Sequence, residues 1–296
     1  MLPLVLQGAV EAGDPVRLLP LYEIHLREVA EKTGPASLRM AEALVEAGRF
    51  AESTSRPEMA RGYFERALAI AGSESGDPLL VADVLSRLAE VSPSRERLGL
   101  LDRAIEIRKK QSRPSRELVS LYRKTGELAA ARGDGGDAMA RYRAAADLAA
   151  KVLVANDPEL AAAWVDLGFA MEQRDQFRQA AVLYRRALAV QEKALGPTHP
   201  ETAITLNNLA GVTGAQGNLV EAEKLLRRAL GILEGNLGPW HARVAVCLGN
   251  LGDLLAATGR AAPARGMYAR AIAIYERLGD ERAAAEIRAS ALELRK

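Results

Sequence analysis

Apolar residues recur three and four positions apart along most of the chain, as they do on one face of an α-helix. Trp164, Leu167 and Met171 form one such run. Asp157-Pro158 comes just before it, and proline fits the first turn of a helix, where its missing N–H has no helical partner. The pattern predicts pairs of antiparallel helices throughout the chain.

The predicted helix pairs repeat at an interval of 42 residues. Leu167-Gly168, Leu209-Ala210 and Leu251-Gly252 each begin the same downstream pattern, in which a small residue precedes a large one by four positions. The small residues are Ala180, Ala222 and Ala264, and the large ones are Tyr184, Leu226 and Tyr268. Neighbouring helices approach closely only where one surface carries little side chain. We therefore expect an all-α fold, a right-handed superhelical solenoid of antiparallel helix pairs.

The register divides the chain into four segments. They are an N-terminal helical cap (1–35), divergent repeats (36–112), four clear repeats (113–280) and a C-terminal capping helix (281–296). Caps are expected because the end of a stack otherwise exposes an apolar face. In the most divergent repeat we expect the first half to run from Leu38 to Gly48 and the turn to be lengthened through residues 53–57. A solenoid has no internal boundary where contacts stop, so we expect one continuous array.

Turn residues agree with the helix pairs. Gly133, Gly217 and Gly259 fall between the two predicted helices of their units, and Asp175 takes the same place in the unit between. A positive φ costs least at glycine, and Asp tolerates it better than most residues. We therefore expect left-handed backbone at all four positions.

The segment 195–203, Leu-Gly-Pro-Thr-His-Pro-Glu-Thr-Ala, followed by Leu-Asn-Asn-Leu-Ala at 206–210, resembles the tetratricopeptide repeat. The likeness is to the 42-residue variety found in kinesin light chain and in bacterial signalling proteins. It is specific over 157–280 and weaker over 79–156. The resemblance implies a concave face, lined by the first helix of each pair, on which inward asparagines bind the backbone of a partner segment.

Composition narrows the class of protein. Apolar residues make up 49% of the chain and charged residues 26%, and no apolar run approaches the roughly 18 residues of a membrane helix. The N-terminal residues lack a basic leader and a cleavage site, so we expect a cytoplasmic chain without membrane insertion. The net charge of +2, from 40 basic and 38 acidic residues, gives no case for nucleic-acid binding.

No constellation of catalytic residues stands out. His199 and His241 occupy the same position in successive repeats, which favours a role in a loop or helix cap over catalysis. Cys247 falls on a helix face that should be buried, which predicts an inert thiol. We therefore expect no enzyme activity, no cofactor and no metal site.

One stretch carries an excess of positive charge. Arg108, Lys109 and Lys110 end a predicted helix, where cations complement the helix dipole, although an anionic partner would also suit them. Arg123 and Lys124 are placed by the register on the inward face. This basic pair would suit an acidic partner.

The same register selects the candidate binding surface. We predict the partner-binding residues to be Arg123, Lys124, Asp166, Phe169, Asn207, Asn208, Asn250 and Asp253. Asparagine disfavours helix interiors, yet its amide offers both a donor and an acceptor to an extended peptide. The other interpretation is that Asn207 and Asn208 are simply solvated or bonded to neighbouring helices. The small residues Gly211, Gly214, Gly249 and Gly252 are expected to leave the groove floor open.

These features predict a non-catalytic adaptor or scaffold that holds a protein or peptide segment in its concave groove. The alternative is a peptide-sensing regulatory segment of a larger signalling protein. Trp240, before a first helix, is either a second anchor for a partner or a residue that packs on the preceding helix.

Overall fold

A computed structural model describes residues 19–73, 76–111 and 114–294, and these residues are helical with no strand among them. The first six helices are α1 (Leu19–Thr33), α2 (Leu38–Ser53), α3 (Pro57–Ala71), α4 (Pro78–Glu90), α5 (Ser94–Gln111) and α6 (Arg116–Ala131). The others are α7 (Gly135–Val152), α8 (Pro158–Glu172), α9 (Phe177–Ala194), α10 (Pro200–Ala215), α11 (Leu219–Leu237), α12 (Ala242–Ala257), α13 (Ala261–Leu278) and α14 (Glu281–Glu293). The prediction of an all-α chain of helix pairs is confirmed. The first half of the predicted N-terminal cap lies outside the described residues.

The chain forms two compact units that divide between Asp134 and Gly135. In the first unit α2 packs on α3 and α4 on α5, and in the second α8 packs on α9, α10 on α11 and α12 on α13. The short turns within each pair make its helices antiparallel neighbours. The division falls between the two helices of the first clear repeat, α6 and α7.

Side chains cap the first helices where the sequence predicts starts. The Asp157 carboxylate accepts a hydrogen bond from the Glu159 backbone N–H at 2.9 Å, beside Pro158 in the first turn of α8. His199 and His241 use Nδ1 in the same way at the starts of α10 and α12, each accepting a backbone N–H at 3.1 Å. The cap role predicted from their equivalent positions is confirmed.

The turns within the repeats adopt the predicted left-handed backbone. The φ angles are 80° at Gly133, 57° at Asp175, 85° at Gly217 and 74° at Gly259. Ser55, in the turn between α2 and α3, has a φ of 57° that the glycine pattern does not signal. The turn of the divergent repeat thus lies within residues 53–57, as predicted, but the sequence does not mark Ser55 as its left-handed residue.

Small residues of first helices lie beneath large residues of second helices. A Cβ on Gly252 would lie 2.5 Å from Cε1 of Tyr268, and one on Gly168 would lie 2.8 Å from Cε1 of Tyr184. Both tyrosines are buried. In the unit between them Leu226 replaces the ring and Ala210 replaces the glycine, and both are buried in one cluster. The size of the small residue thus follows the size of its partner.

The divergent repeat keeps this arrangement, contrary to the expected end of its first half. α2 continues through Gly48 and ends at Ser53. Instead, Gly48 faces the ring of the fully buried Phe64 so closely that a Cβ would overlap the ring. Gly48 precedes Phe64 by the same 16 positions that separate Gly252 from Tyr268.

At the C-terminus of the second unit, α14 packs on the preceding pair. Ala284 is fully buried, and Ile287 and Ala291 pack against the same apolar cluster. Across the described residues, no helix combines the length and apolar character that crossing a bilayer requires.

Candidate functional site

A groove of about 510 Å³ opens on the second unit. The last turn of α8 forms one side, α10 the middle and α12 the other side, and Leu219 and Leu226 of α11 contribute to its lining. The predicted site residues brought together here are Phe169, Asn207, Asn208, Asn250 and Asp253. They come from three first helices because the 42-residue register turns equivalent faces of those helices the same way.

The three asparagines form a hydrogen-bonded row across the groove. Nδ2 of Asn250 donates to Oδ1 of Asn207 at 2.9 Å, and Nδ2 of Asn207 donates to Oδ1 of Asn208 at 3.5 Å. All three are partly buried. Among the described residues, the side-chain Nδ2 of Asn208 and the side-chain Oδ1 of Asn250 have no hydrogen-bond partner. The row is therefore bonded between helices, as one interpretation expected, yet keeps a donor at one end and an acceptor at the other.

Two carboxylates line the same groove, each held by a tyrosine from a second helix. The Tyr184 hydroxyl donates to Oε2 of Glu172 at 2.8 Å, and the Tyr268 hydroxyl donates to Oδ1 of Asp253 at 2.7 Å. Burial raises the pKa of Glu172, and the Tyr184 hydroxyl partly opposes that rise. Burial, followed by the adjacent carboxylate, also raises the pKa of each tyrosine, so both hydroxyls remain protonated donors.

Apolar side chains stand open to solvent at the groove. Phe169 of α8 and Val246 of α12 are each 47% exposed. Gly211 and Gly214 lie on the lining, as expected. The groove therefore presents exposed apolar side chains next to the asparagine row.

The other two glycines expected on the groove floor are not there. Gly252 lies beneath the ring of Tyr268, and a Cβ on Gly249 would lie 3.0 Å from Ile287 of α14. Both are buried. The expectation was wrong because helical spacing identifies a face as inward without showing which neighbour covers it.

Asp166 is partly buried and is not among the groove-lining residues. It shares its repeat position with Asn208 and Asn250, but α8 contributes only its last turn, Phe169 and Glu172, to the groove. Asp166 lies one turn earlier in α8. Asp166 is therefore equivalent to Asn208 and Asn250 in sequence, but it does not line the groove as they do.

Arg123 and Lys124 belong to the first unit, so the second-unit groove is described without them. Lys124 lines a first-unit groove of about 500 Å³ and forms a salt bridge with Glu90. Arg123 is partly buried. Arg49 and Arg87 also line the first-unit groove, which makes it rich in cations.

The basic end of α5 has a structural role in addition to its place in the last helical turn. Arg108 is 8% exposed and forms a salt bridge with Asp83 of α4. Lys109 pairs with Glu106 at 2.8 Å. These contacts favour the helix-end interpretation of the cluster.

Sequence reasoning missed Glu172 and Val246. Glu172 follows Phe169 by three positions, and Val246 precedes Asn250 by four, so both share the helix face of a predicted residue. Helical spacing could have identified them. The 42-residue period could not have predicted the contact between Glu172 and Tyr184. Tyr184 and Tyr268 are equivalent in the period, but their carboxylate partners, Glu172 and Asp253, are not.

Cys247 and Trp240 lie apart from the groove lining. Burial raises the pKa of the Cys247 thiol to about 12, and its sulfur donates to the Leu226 carbonyl at 3.5 Å. The predicted burial of Cys247 is confirmed. Trp240 is 48% exposed, with the Arg277 guanidinium of α13 at 4.6 Å from its ring centroid.

Comparison with known families finds a match. The family model for the tetratricopeptide repeat matches residues 159–235 and, one period later, 201–277. Together these spans contain every residue that lines the groove. A search of curated proteins finds no match to this chain.

Solved structures share the fold at low sequence identity. One crystal structure contains nearly identical TPR-like repeats of the kinesin light chain type from Podosopora anserina. It is 21% identical to this chain, with a TM-score of 0.55 over 68% of this chain and 98% of that one. The apo form of RapI is 14% identical, with a TM-score of 0.62 over 86% of this chain and 97% of that one. A Rap protein complexed with competence and sporulation factor is 15% identical, with a TM-score of 0.51 over 91% of this chain and 79% of that one.

Proposed function

Because residues 159–277 of this chain are tetratricopeptide repeats, we propose that the protein is a non-catalytic adaptor or scaffold that binds a partner segment in its second-unit groove. One observation carries the proposal. The amide row across the groove leaves donors on Asn208 and an acceptor on Asn250, beside the exposed side chains of Phe169 and Val246. A cytoplasmic location, expected from the sequence, belongs to the same proposal.

The amides suit the main chain of an extended segment. Asn208 can donate to a peptide carbonyl, and Asn250 can accept from a peptide N–H, so neither contact depends on the partner's sequence. Phe169 and Val246 then provide apolar area for alternate side chains of the segment. Main-chain bonds supply affinity, and the apolar contacts together with the groove's charged groups supply selection.

An acidic partner segment is proposed for the first unit, to which Arg123 and Lys124 belong. Lys124 pairs with Glu90 on an exposed surface, and such a pair contributes little to stability and can exchange partners. Reversal of Arg123 and Lys124 to Glu should weaken binding of an acidic peptide. The effect should shrink as salt is raised, because exposed charges are screened over about 8 to 10 Å.

A peptide-sensing regulatory segment is the second candidate function. The fold similarity to a Rap protein complexed with competence and sporulation factor favours it, since that similarity covers 91% of this chain. Binding in the groove would be common to both functions. A change in protease sensitivity or hydrogen exchange outside the groove upon peptide binding would support the sensing function.

The groove proposal can be tested with a phage-displayed library of random dodecapeptides selected on the intact chain. Binding of enriched peptides is then measured by fluorescence anisotropy. Asn208→Ala with Asn250→Ala should weaken binding by about 0.5 to 1.5 kcal/mol for each lost hydrogen bond. Phe169→Ala should weaken it further through lost apolar area.

Val220→Ala provides the matched control, because Val220 is 70% exposed and lies outside the groove lining. Circular dichroism checks that each variant is folded. If every enriched peptide binds the asparagine and Phe169 variants as tightly as the parent protein, the proposed groove is contradicted.

A further inference from the structure

The titratable residues that line the second-unit groove are all acidic. Glu172 and Asp253 are the two, and no lysine, arginine or histidine is found among the described residues of the lining. The first-unit groove differs, since five basic residues and three acidic ones line it. The second-unit groove therefore has a negative electrostatic character that does not follow from the chain's net charge of +2.

No described cation forms a salt bridge with Glu172 or Asp253; each is held by a tyrosine hydroxyl through one oxygen. The second oxygen of Glu172, Oε1, lies over Gly211, 3.3 Å from where a Cβ would stand. That position keeps Oε1 at the groove surface.

The surroundings of Glu172 favour a cationic partner. A partly buried carboxylate without a cation loses hydration that a single hydroxyl replaces incompletely. A lysine or arginine from a ligand would restore that interaction and could approach Oε1 across Gly211, where there is no side chain. Leu226 and Leu254 also line the groove, and an apolar lining strengthens an ion pair relative to one in open water.

We propose that the partner segment bound in this groove is cationic, with lysine or arginine side chains that pair with Glu172 and Asp253 and apolar side chains that contact Phe169 and Val246. This inference rests on the proposed function of the groove. It reverses the charge of the partner that Arg123 and Lys124 led us to expect. The two chemistries belong to different units, and an acidic segment is excluded from the second-unit groove by like-charge repulsion.

The test uses the dodecapeptides selected on the intact chain. Peptides whose binding depends on Phe169 should be enriched in lysine and arginine relative to the unselected library. Glu172→Gln with Asp253→Asn should weaken their binding by at least about tenfold, since a hydrogen bond between charged groups is lost at each site. The amide oxygens of the replacements can still accept from Tyr184 and Tyr268, so the fold is retained.

Glu221→Gln with Glu286→Gln is the control, because it also removes two negative charges, but from exposed positions outside the groove. It should leave affinity within about twofold of the parent, and the parent's affinity should fall as salt is raised. Enrichment of acidic residues among the peptides whose binding depends on Phe169, or equal binding of those peptides by the Glu172 and Asp253 variant, would overturn the inference.

The outcomes separate the two proposals. If Asn208→Ala with Asn250→Ala weakens binding while neutralising Glu172 and Asp253 does not, the groove function stands and the cationic partner is wrong. If no selected peptide responds to any groove variant, or none is enriched, both proposals are overturned.

Discussion

Gly252→Ala should destabilise the second unit, although alanine is the better helix former. In the interior of α12 the substitution gains about 1 kcal/mol of helix propensity. Against this, the new Cβ would lie 2.5 Å from Cε1 and 2.7 Å from Cδ1 of Tyr268. The ring cannot easily retreat, because Tyr268 is 2% exposed and its hydroxyl donates to Asp253 at 2.7 Å. Overpacking costs about 1 to 3 kcal/mol, and we expect the upper end for a fixed ring.

The net expectation is therefore a loss of about 2 kcal/mol in the free energy of unfolding. Gly231→Ala is the matched control, since Gly231 lies in α11, is exposed and has no neighbouring atom within 4 Å of where a Cβ would stand. It should gain about 0.5 to 1 kcal/mol. Urea unfolding followed by circular dichroism measures both values.

A second substitution distinguishes overpacking from other causes. Gly252→Ala combined with Tyr268→Leu reproduces the natural pair of Ala210 and Leu226 and should recover part of the lost stability. A Gly252→Ala protein as stable as the parent would refute the assignment of Gly252 to the space beneath Tyr268. Failure of the double variant to recover stability would refute the size-matching argument.

Three further predictions concern the second unit. Ala222→Leu should cost about 1 to 3 kcal/mol because Ala222 is 1% exposed, whereas Lys224→Ala on the same helix should stay within about 0.5 kcal/mol; equal shifts in melting temperature would contradict the register. Burial raises the pKa of Glu172 above its ordinary value of 4.5, so its contribution to stability is greatest below pH 4.5 and is lost as the pH rises through the folded pKa. Glu172→Gln should therefore retain or raise the free energy of unfolding at about pH 7, as urea titration can show, and a clear loss would contradict the burial argument. The Cys247 thiol, with a pKa raised to about 12, should react with a disulfide reagent only when denaturant unfolds the chain, and rapid labelling of the native protein would contradict its burial.

Local features of the fold follow from the sequence because they depend on a few adjacent residues. The caps at Asp157, His199 and His241 and the positive φ at Gly217 need only a short segment to form. The helix pairs follow from periodicity, since stacked copies of one unit must repeat their buried positions. Where the period is irregular, as at Gly48, the sequence pattern ended the first half of the repeat too early, whereas the helix continues to Ser53 with Gly48 packed against Phe64.

Only the tertiary structure decided what each inward residue contacts. Periodicity places Gly252 and Asn250 on the inner side of α12, but packing buries the first beneath Tyr268 and joins the second to Asn207. It also decided the charge of the candidate site, because Glu172 and Asp253 come from different repeat positions. The physical reason is that a helical period specifies the direction of a side chain, whereas its neighbours depend on how separate helices approach one another.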